Sequence, residues 1–288
     1  MILLQADESL EEDVKLLFPA DTTRTHYTRV LSDLEVTTET LMKMKDHIGS
    51  AAGRFPVAAH FDTVAYCCTS ASSVIGEATV EAIVREGERR GTCCEEQSAR
   101  APRSLTALST LTKAHPFVHT CVPLLTLLCT TSGCPSLSLK TVTNPLTAAV
   151  AAFKALNVTR VGLVSPYLAS VNTVLIRCFK ENGIDMTIFG SFGQEQEERV
   201  ARIDGDSLFN ACVKLHEEGQ KSESTKFDAV FMSCTNLVTL PVIQRVEEAL
   251  KIPCLSSNLC LAWHMARLAE FKCDVKAVGS SMLLASDK

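Results

Sequence analysis

The sequence lacks the features that mark zinc-binding, nucleic-acid-binding and secreted proteins. It has no Cys-x-x-Cys pair, the spacing from which many structural zinc sites are built, so no metal is expected. Its Lys and Arg residues are scattered and the net charge is −5, which excludes an electrostatic case for nucleic-acid binding. The first residues carry no basic segment before the apolar run, so they are not typical of a signal peptide.

Cysteine, by contrast, is abundant, with 13 among 288 residues. Because 46% of the residues are hydrophobic, a large core is expected, and a disulfide framework is not needed for stability. Reduced thiols and a cytoplasmic location are therefore predicted. Residues 117–139 contain no Lys, Arg, Asp or Glu, but prolines, a glycine and many Ser and Thr residues interrupt the run, so no membrane span is expected.

One stretch, Phe227–Asn236, ends an apolar run with a cysteine followed by Thr-Asn. The next residues, Leu237–Leu250, have helical periodicity. Cys234 is therefore predicted at the C-terminal end of a buried strand, just before a helix. Open parallel sheets bind their ligands at this position.

The same pattern occurs earlier in the chain, in Phe61–Ser70. In register, the residues that match are Phe61, Asp62, Val64, Cys68 and Thr69 with Phe227, Asp228, Val230, Cys234 and Thr235. Two copies of a strand–Cys–Thr–helix unit predict two similar halves, each presenting one thiol. Cys67 should point to the other side of its strand, into the core.

Strand-like and helix-like segments alternate along the chain except between about residues 92 and 138. This alternation predicts an α/β protein in which parallel sheets are flanked by helices. We expect a first domain over 1–143 that contains an insertion at about 92–138, and a second domain over 144–259. A C-terminal helix within 260–288 is expected to return to the first domain.

The chemistry expected at the two strand ends is that of activated thiols. A helix N-terminus lowers the pKa of a thiol, and its N–H groups can bind a carboxylate. Side-chain donors would be added by Thr69, Ser70, Thr235 and Asn236. The alternative for any single cysteine is a buried structural role, which the duplication in register disfavours for Cys68 and Cys234.

Several short motifs together resemble the aspartate/glutamate racemase superfamily, most closely its maleate cis-trans isomerase and arylmalonate decarboxylase branch. They are Cys-Thr-Ser at 68–70, Thr-Asn-Pro-Leu-Thr at 143–147, Ser-Pro-Tyr at 165–167, Ser-Cys-Thr-Asn-Leu at 233–237, and Ser-Ser-Asn at 256–258 followed by Ala-Trp-His. The resemblance implies two domains related by a pseudo-twofold axis, with the active site in the cleft between them. It implies no metal, no organic cofactor and a small carboxylate or dicarboxylate substrate, and a homodimer is a candidate assembly.

The resemblance also implies individual roles. The two family cysteines correspond to Cys68 and Cys234, the active-site tyrosine to Tyr167, and a substrate-binding amide to Asn144. Maleate isomerases carry an Asn after the first strand, where this chain has Asp7. An ionised Asp7 would repel a carboxylate, so it is expected to bind an amine or hydroxyl of the substrate, to be protonated, or to cap a helix.

The leading hypothesis is a cofactor-independent, two-cysteine isomerase similar to maleate cis-trans isomerase. Arylmalonate decarboxylases keep only the later cysteine, so the presence of both disfavours simple decarboxylation. The alternatives are a racemase of an amino acid or hydroxy acid, and a homologue that binds a carboxylate without turning it over.

Overall fold

A computed structural model describes residues 1–91, 138–273 and 282–285. Apart from Ser138, the expected insertion lies outside the described residues. The strands are β1 (Ile2–Leu4), β2 (Thr28–Val30), β3 (His60–Cys67), β4 (Ser138–Thr143), β5 (Arg160–Ser165), β6 (Asp185–Ser191), β7 (Ala229–Met232) and β8 (Cys254–Ser256). The helices are α1 (Leu10–Leu17), α2 (Thr38–Lys43), α3 (Lys45–Ala52), α4 (Thr69–Ile75), α5 (Glu77–Gly91), α6 (Pro145–Ala155), α7 (Ala169–Glu181), α8 (Glu197–Val200), α9 (Gly205–Gly219), α10 (Leu240–Leu250), α11 (Ser257–Leu268) and α12 (Met282–Ala285).

The strands form two parallel four-stranded sheets whose strand order is equivalent. The first sheet has the order β2-β1-β3-β4 and the second β6-β5-β7-β8. Central strands such as β1 and β7 are buried at every residue, which explains why they are short, continuous apolar runs in the sequence. The predicted α/β class with two similar halves is confirmed, and each repeated cysteine follows the third strand of its sheet.

The last helix of each half packs on the other half. In α6 the ring of Phe153 lies 5.5 Å from that of Phe231 in β7 of the second sheet. Helix α11 packs on α1, β3 and β4 of the first sheet, and His264 Nδ1 lies 2.8 Å from Thr143 Oγ1. On this basis we propose domains at 1–143 and 144–259, with the C-terminal helix packed on the first.

One predicted boundary differs from the structure. The helix expected over Leu237–Leu250 begins at Leu240, with Pro241 in its first turn. Cys234 is therefore followed by a turn, whereas Cys68 directly precedes α4. The apolar Leu237 extends the helical pattern in the sequence but is buried in this turn. Among the residues that the structure describes, no helix has the length and apolar character needed to cross a membrane.

Replacing residues 92–137 with about ten Gly and Ser residues is expected to leave a protein that unfolds cooperatively. Helix α5 and strand β4 are adjacent, since Arg85 Nη2 lies 3.5 Å from the Lys140 carbonyl oxygen. Ten residues reach up to roughly 33 Å, enough to join them. Urea unfolding followed by circular dichroism is the measurement. A broad, non-cooperative transition or an insoluble product would show that the segment belongs to the core.

Candidate active site

Cys68 is positioned by the junction between β3 and α4. It is the N-cap residue of α4, and its Sγ accepts a hydrogen bond from the Ala71 N–H at 3.3 Å. The Ser70 hydroxyl lies 3.5 Å from the same sulfur. The thiol itself therefore takes the capping role that a Ser or Asp side chain usually has. Its predicted position at a strand end before a helix is confirmed.

Cys234 is positioned by the turn that follows β7. Its Sγ accepts a hydrogen bond from the Asn236 N–H at 3.4 Å, and its own N–H donates to Ser257 Oγ at 3.1 Å. The backbone of Cys234 has a φ of +155°. Positive φ is uncommon for residues with a Cβ and is concentrated at functional sites.

Hydrogen bonds between the two halves bring these turns together. Thr69 Oγ1, next to Cys68, donates to Ser257 Oγ at 2.8 Å, and Ser257 Oγ also accepts from the N–H of Cys234. Thr235 Oγ1 donates to the Cys67 carbonyl at 3.3 Å. A negative charge on Cys68 raises the pKa of Cys234, so the thiols are also electrostatically coupled. The two predicted cysteines thus lie in one buried cluster.

Tyr167, which follows β5, joins this cluster. Its side chain is buried, and its hydroxyl has no satisfactory hydrogen-bond partner. Burial raises the pKa of the Tyr167 phenol, and negative charge on Cys234 or Cys68 would raise it further, which places the hydroxyl near both sulfurs. An unpartnered buried hydroxyl is costly, so a ligand atom is its expected partner.

The two carboxylate oxygens of Asp7 have different surroundings. Oδ1 accepts hydrogen bonds from the N–H groups of Ser9 at 3.1 Å and Leu10 at 2.9 Å, which is the expected capping role at the start of α1. Oδ2 is buried and forms no hydrogen bond of good geometry with a described residue, although the nearby Thr235 side chain lowers the pKa of this carboxyl. Burial raises the pKa of Asp7 despite these bonds and a nearby Arg29. One oxygen is therefore structural and the other is available to a ligand.

Asn236 connects the loop after β1 to a second buried acid, Glu197. Its Nδ2 donates to the Ala6 carbonyl and to Glu197 Oε2, each at 3.2 Å, and its Oδ1 accepts from the Glu8 N–H at 2.8 Å. The Asn236 amide therefore bridges the two halves, and its contact with substrate stays a prediction.

The other predicted binding residues differ in how they are used. The hydroxyls of Thr69 and Thr235 take part in the bonds between the halves, and Ser70 lies against the Cys68 sulfur. Asn144 caps α6: its Oδ1 accepts from Leu146 N at 3.0 Å and Thr147 N at 3.1 Å. No hydrogen bond of the Asn144 side chain reaches the cysteine cluster.

Two residues of the Ser-Ser-Asn motif had no predicted role and prove central to the site. Ser257 links the turns of Cys68 and Cys234, as described above. Asn258 Nδ2 donates to the Thr235 carbonyl at 3.0 Å and to Asp13 Oδ2 at 2.7 Å. The available signal was position, because this motif begins at the last residue of β8, as Thr-Asn-Pro begins at the last residue of β4.

Glu197 was also missed, and no local signal marks it. It lies in a polar, acidic stretch of sequence, yet its side chain is 5% exposed. Its burial results from pairing between the halves: Val36 N–H donates to the Glu195 carbonyl at 2.6 Å, and Glu197 N–H donates to the Leu34 carbonyl at 3.0 Å. Only the tertiary structure brings this carboxyl to the cysteines.

The expectation that a helix N-terminus leaves these thiols with low pKa values is wrong, because burial outweighs the N–H groups. Burial raises the pKa of Cys68 to about 12 and that of Cys234 well above its ordinary value. Hydrogen bonds from the Ala71 and Asn236 N–H groups lower these pKa values but do not offset burial. The Glu197 carboxylate raises both pKa values further. Burial and the Glu197 charge therefore favour the protonated form of both thiols.

Asp13 should make stability depend on pH. Burial raises the pKa of this carboxyl from 3.8 to about 7. The folded state therefore holds a proton that the unfolded state loses, so the stabilising contribution is complete below about pH 3.8 and is lost as the pH rises to about 7.

Asp13→Asn keeps the oxygen that accepts from Asn258 but cannot ionise. The variant should be more stable than the wild type at pH 8 by about 2 kcal/mol, half of the ~4 kcal/mol that the full pKa difference would give. Urea unfolding at pH 4, 6 and 8 measures this difference. If the free energy of unfolding changed with pH in the same way in the two proteins, the pKa of Asp13 would not be raised in the folded state.

The fold is that of an α/β protein with two equivalent parallel sheets, and one buried cysteine from each half lies in a common cluster. Residues 124–284, more than half of the chain, match the model of the family described as arylmalonate decarboxylase. The chain belongs to that family.

Individual relatives agree with this assignment. The arylmalonate decarboxylase of Bordetella bronchiseptica is 34% identical over 123 residues, covering 43% of this chain and 49% of that protein. The maleate isomerase of Geobacillus stearothermophilus is 25% identical over 134 residues, covering 46% and 51%. The chain thus matches about half the length of these curated relatives.

A solved structure supports the fold over the whole chain. The maleate cis-trans isomerase of Nocardia farcinica, a cysteine-to-serine mutant with a covalently bound succinylcysteine intermediate, has a TM-score of 0.67 at 18% identity. The match covers 100% of this chain and 97% of that one. At this identity the likeness establishes the shared fold, and the chemistry must be argued from the site.

Proposed function

We propose that this protein is a cofactor-independent isomerase of a small carboxylic acid and that Cys68 and Cys234 are its reacting groups. The observation that carries the proposal is the convergence of two thiols from equivalent strands into one buried cluster with Tyr167. The named activities of the relatives, isomerisation and decarboxylation, both act on small acids of this kind. A single thiol suffices for decarboxylation, so the pair favours isomerisation.

Cis-trans isomerisation would use one thiol as a nucleophile. The Cys68 sulfur adds to one alkene carbon, its proton passes to an oxygen of the conjugated carboxylate, and the π electron pair moves into that group as a protonated enediolate. Rotation about the new single bond follows, and the C–S bond then breaks as the electron pair re-forms the alkene and the proton returns to sulfur. The hydroxyl of Tyr167 and the thiol of Cys234 would donate hydrogen bonds to the enediolate.

Inversion at a saturated carbon is the second candidate, since two thiols from different halves could act on opposite faces of one carbon. One thiolate removes the proton α to the carboxylate, forming an S–H bond while the C–H electron pair is delocalised into the carboxylate. The other thiol then delivers its proton to the opposite face of that carbon. Both candidates rearrange the substrate without loss of carbon.

Conservation of carbon gives a direct test. The protein would be incubated in deuterated water with maleate, malate, aspartate and phenylmalonate, and the products followed by NMR. Conversion to an isomer with every carboxyl group retained is expected, with a deuteron at the inverted carbon where a stereocentre changes. Turnover of phenylmalonate alone, with release of one carboxyl group, would make the protein a decarboxylase and overturn the proposal.

A further inference from the structure

Helix α1 carries a carboxyl at a position where its own pattern calls for an apolar residue. The buried stripe of this helix consists of Leu10, Asp13, Val14 and Leu17. Their spacing of i, i+3, i+4 and i+7 is the one by which a helix packs on a core. Asp13 is only 5% exposed, and a carboxyl in such a stripe costs stability, so it calls for a functional reason.

The Asp13 carboxyl is joined to the turn of Cys234 through Asn258. Asp13 Oδ2 accepts a hydrogen bond from Asn258 Nδ2 at 2.7 Å, and the same Nδ2 donates to the Thr235 carbonyl at 3.0 Å. Asn258 is fully buried, and its Oδ1 accepts no hydrogen bond from the described residues. The two bonds of Nδ2 therefore orient this amide, and loss of the Asp13 carboxyl would leave only one of them.

The turn held in this way has a backbone conformation that needs support. Cys234 has a φ of +155°, and uncommon conformations of this kind persist only where the surrounding structure fixes them. The next two carbonyls are both held from the side of α1: that of Thr235 by the amide described above, and that of Asn236 by Ser9 Oγ at 3.2 Å. Ser9 is the N-cap residue of α1 and lies about one helical turn before Asp13.

We propose that Asp13 is a positioning residue for Cys234. By orienting the Asn258 amide it holds the carbonyl of Thr235, and it thereby fixes the backbone that carries the reacting sulfur. Asp13 itself takes part in no bond-making step. Its role rests on the proposed function, since it serves the same site.

Asp13→Ala removes the acceptor, whereas Asp13→Asn keeps one oxygen for Asn258 Nδ2 and is the conservative rescue. Steady-state kinetics on the acid of the panel above that turns over fastest are the measurement. We expect kcat to fall by about 10- to 100-fold in Asp13→Ala, as for a small displacement of a reacting group, while KM stays nearly unchanged. Asp13→Asn should retain a rate close to that of the wild type.

Glu12→Ala is the matched control, because it removes the neighbouring carboxylate of the same helix. The Glu12 side chain is exposed and pairs with Lys15 at 2.6 Å, so its loss should leave kcat and KM unchanged. Thermal unfolding shows whether each variant is folded at the assay temperature. If Asp13→Ala does not fold, Asp13→Leu replaces it, since leucine fills the same space in an apolar stripe and also lacks the acceptor.

A second measurement needs no substrate. Iodoacetamide alkylation at mildly alkaline pH gives the rate at Cys234 relative to that at Cys68. Loosening of the turn in Asp13→Ala should expose the Cys234 sulfur and raise this ratio several-fold, while Asp13→Asn and Glu12→Ala keep the ratio of the wild type.

A wild-type kcat or a wild-type alkylation ratio in Asp13→Ala would overturn this role of Asp13 and leave the isomerase proposal intact. An equal loss of kcat in Asp13→Asn would also overturn it, because the charge rather than the hydrogen bond would then be required. Absence of any isomerisation by the wild type would overturn the isomerase proposal itself, and the alkylation ratio would still decide the role of Asp13.

Discussion

Cys68→Ser and Cys234→Ser are each expected to lower kcat by about a thousandfold, the middle of the ~10²–10⁴ range for loss of a proton-transfer group. A serine hydroxyl is a far weaker acid than a thiol and a poorer nucleophile at neutral pH. The fold should persist, because a hydroxyl at 68 can accept from Ala71 N–H and one at 234 from Asn236 N–H, as the sulfurs do.

Cys67→Ser is the control for this prediction. Cys67 is also buried, and its Sγ donates to the Ala65 carbonyl at 3.4 Å; only its backbone carbonyl, which a serine keeps, takes part in the bonds that join the two turns. This variant should turn over substrate at close to the wild-type rate. A wild-type rate in either Cys68→Ser or Cys234→Ser would contradict a mechanism that needs both thiols, and thermal unfolding would show whether each variant is folded.

Gly87→Ala is expected to destabilise the protein by about 3 kcal/mol or more, at the upper end of the usual cost of overpacking. Gly87 lies where α5 crosses α3. A Cβ at this position would lie 2.2 Å from the Gly49 carbonyl oxygen and 2.6 Å from its Cα. These are backbone atoms of another helix, so the two helices would have to separate.

Gly49→Ala makes the same substitution on the opposite helix with a different outcome. Its Cβ would meet Ile83 Cγ2 at 3.5 Å, an ordinary van der Waals contact. Because alanine favours a helix by about 1 kcal/mol over glycine, this variant should be as stable as the wild type or more so. Urea unfolding of both variants is the measurement. Equal stability of the two would mean that α3 and α5 do not cross at these residues.

The fold and the two thiols could be predicted because their signals are local. Buried strands such as β7 are continuous apolar runs, and the register match between Phe61–Ser70 and Phe227–Asn236 marked Cys68 and Cys234. The two sheets then place both cysteines after their third strands. Periodicity predicted the start of α10 less well. The buried Leu237 continues the helical pattern in the sequence, but it lies in the turn before the helix.

The electrostatics of the site could not be predicted in this way. Glu197 enters the cluster because Glu35 and Gln196 form an antiparallel bridge between segments far apart in sequence. Ser257 acts through contacts with Thr69 and Cys234 that no spacing reveals. The thiol pKa values depend on total burial, which outweighs the N–H groups that the sequence had suggested would lower them. Each of these properties arises where the two halves meet.

The most direct test of the central claim asks whether both thiols belong to one substrate site. Because burial raises the pKa of both thiols, alkylation of Cys68 and Cys234 by iodoacetamide would be run at mildly alkaline pH, where more thiolate is present, and quantified by mass spectrometry against increasing concentrations of the acid with the highest kcat/KM at that pH. Both thiols should be protected together, with a half-saturating concentration near KM, while the half-buried Cys178 reacts at a constant rate. Protection of one thiol alone, or of neither, would contradict a two-thiol active site.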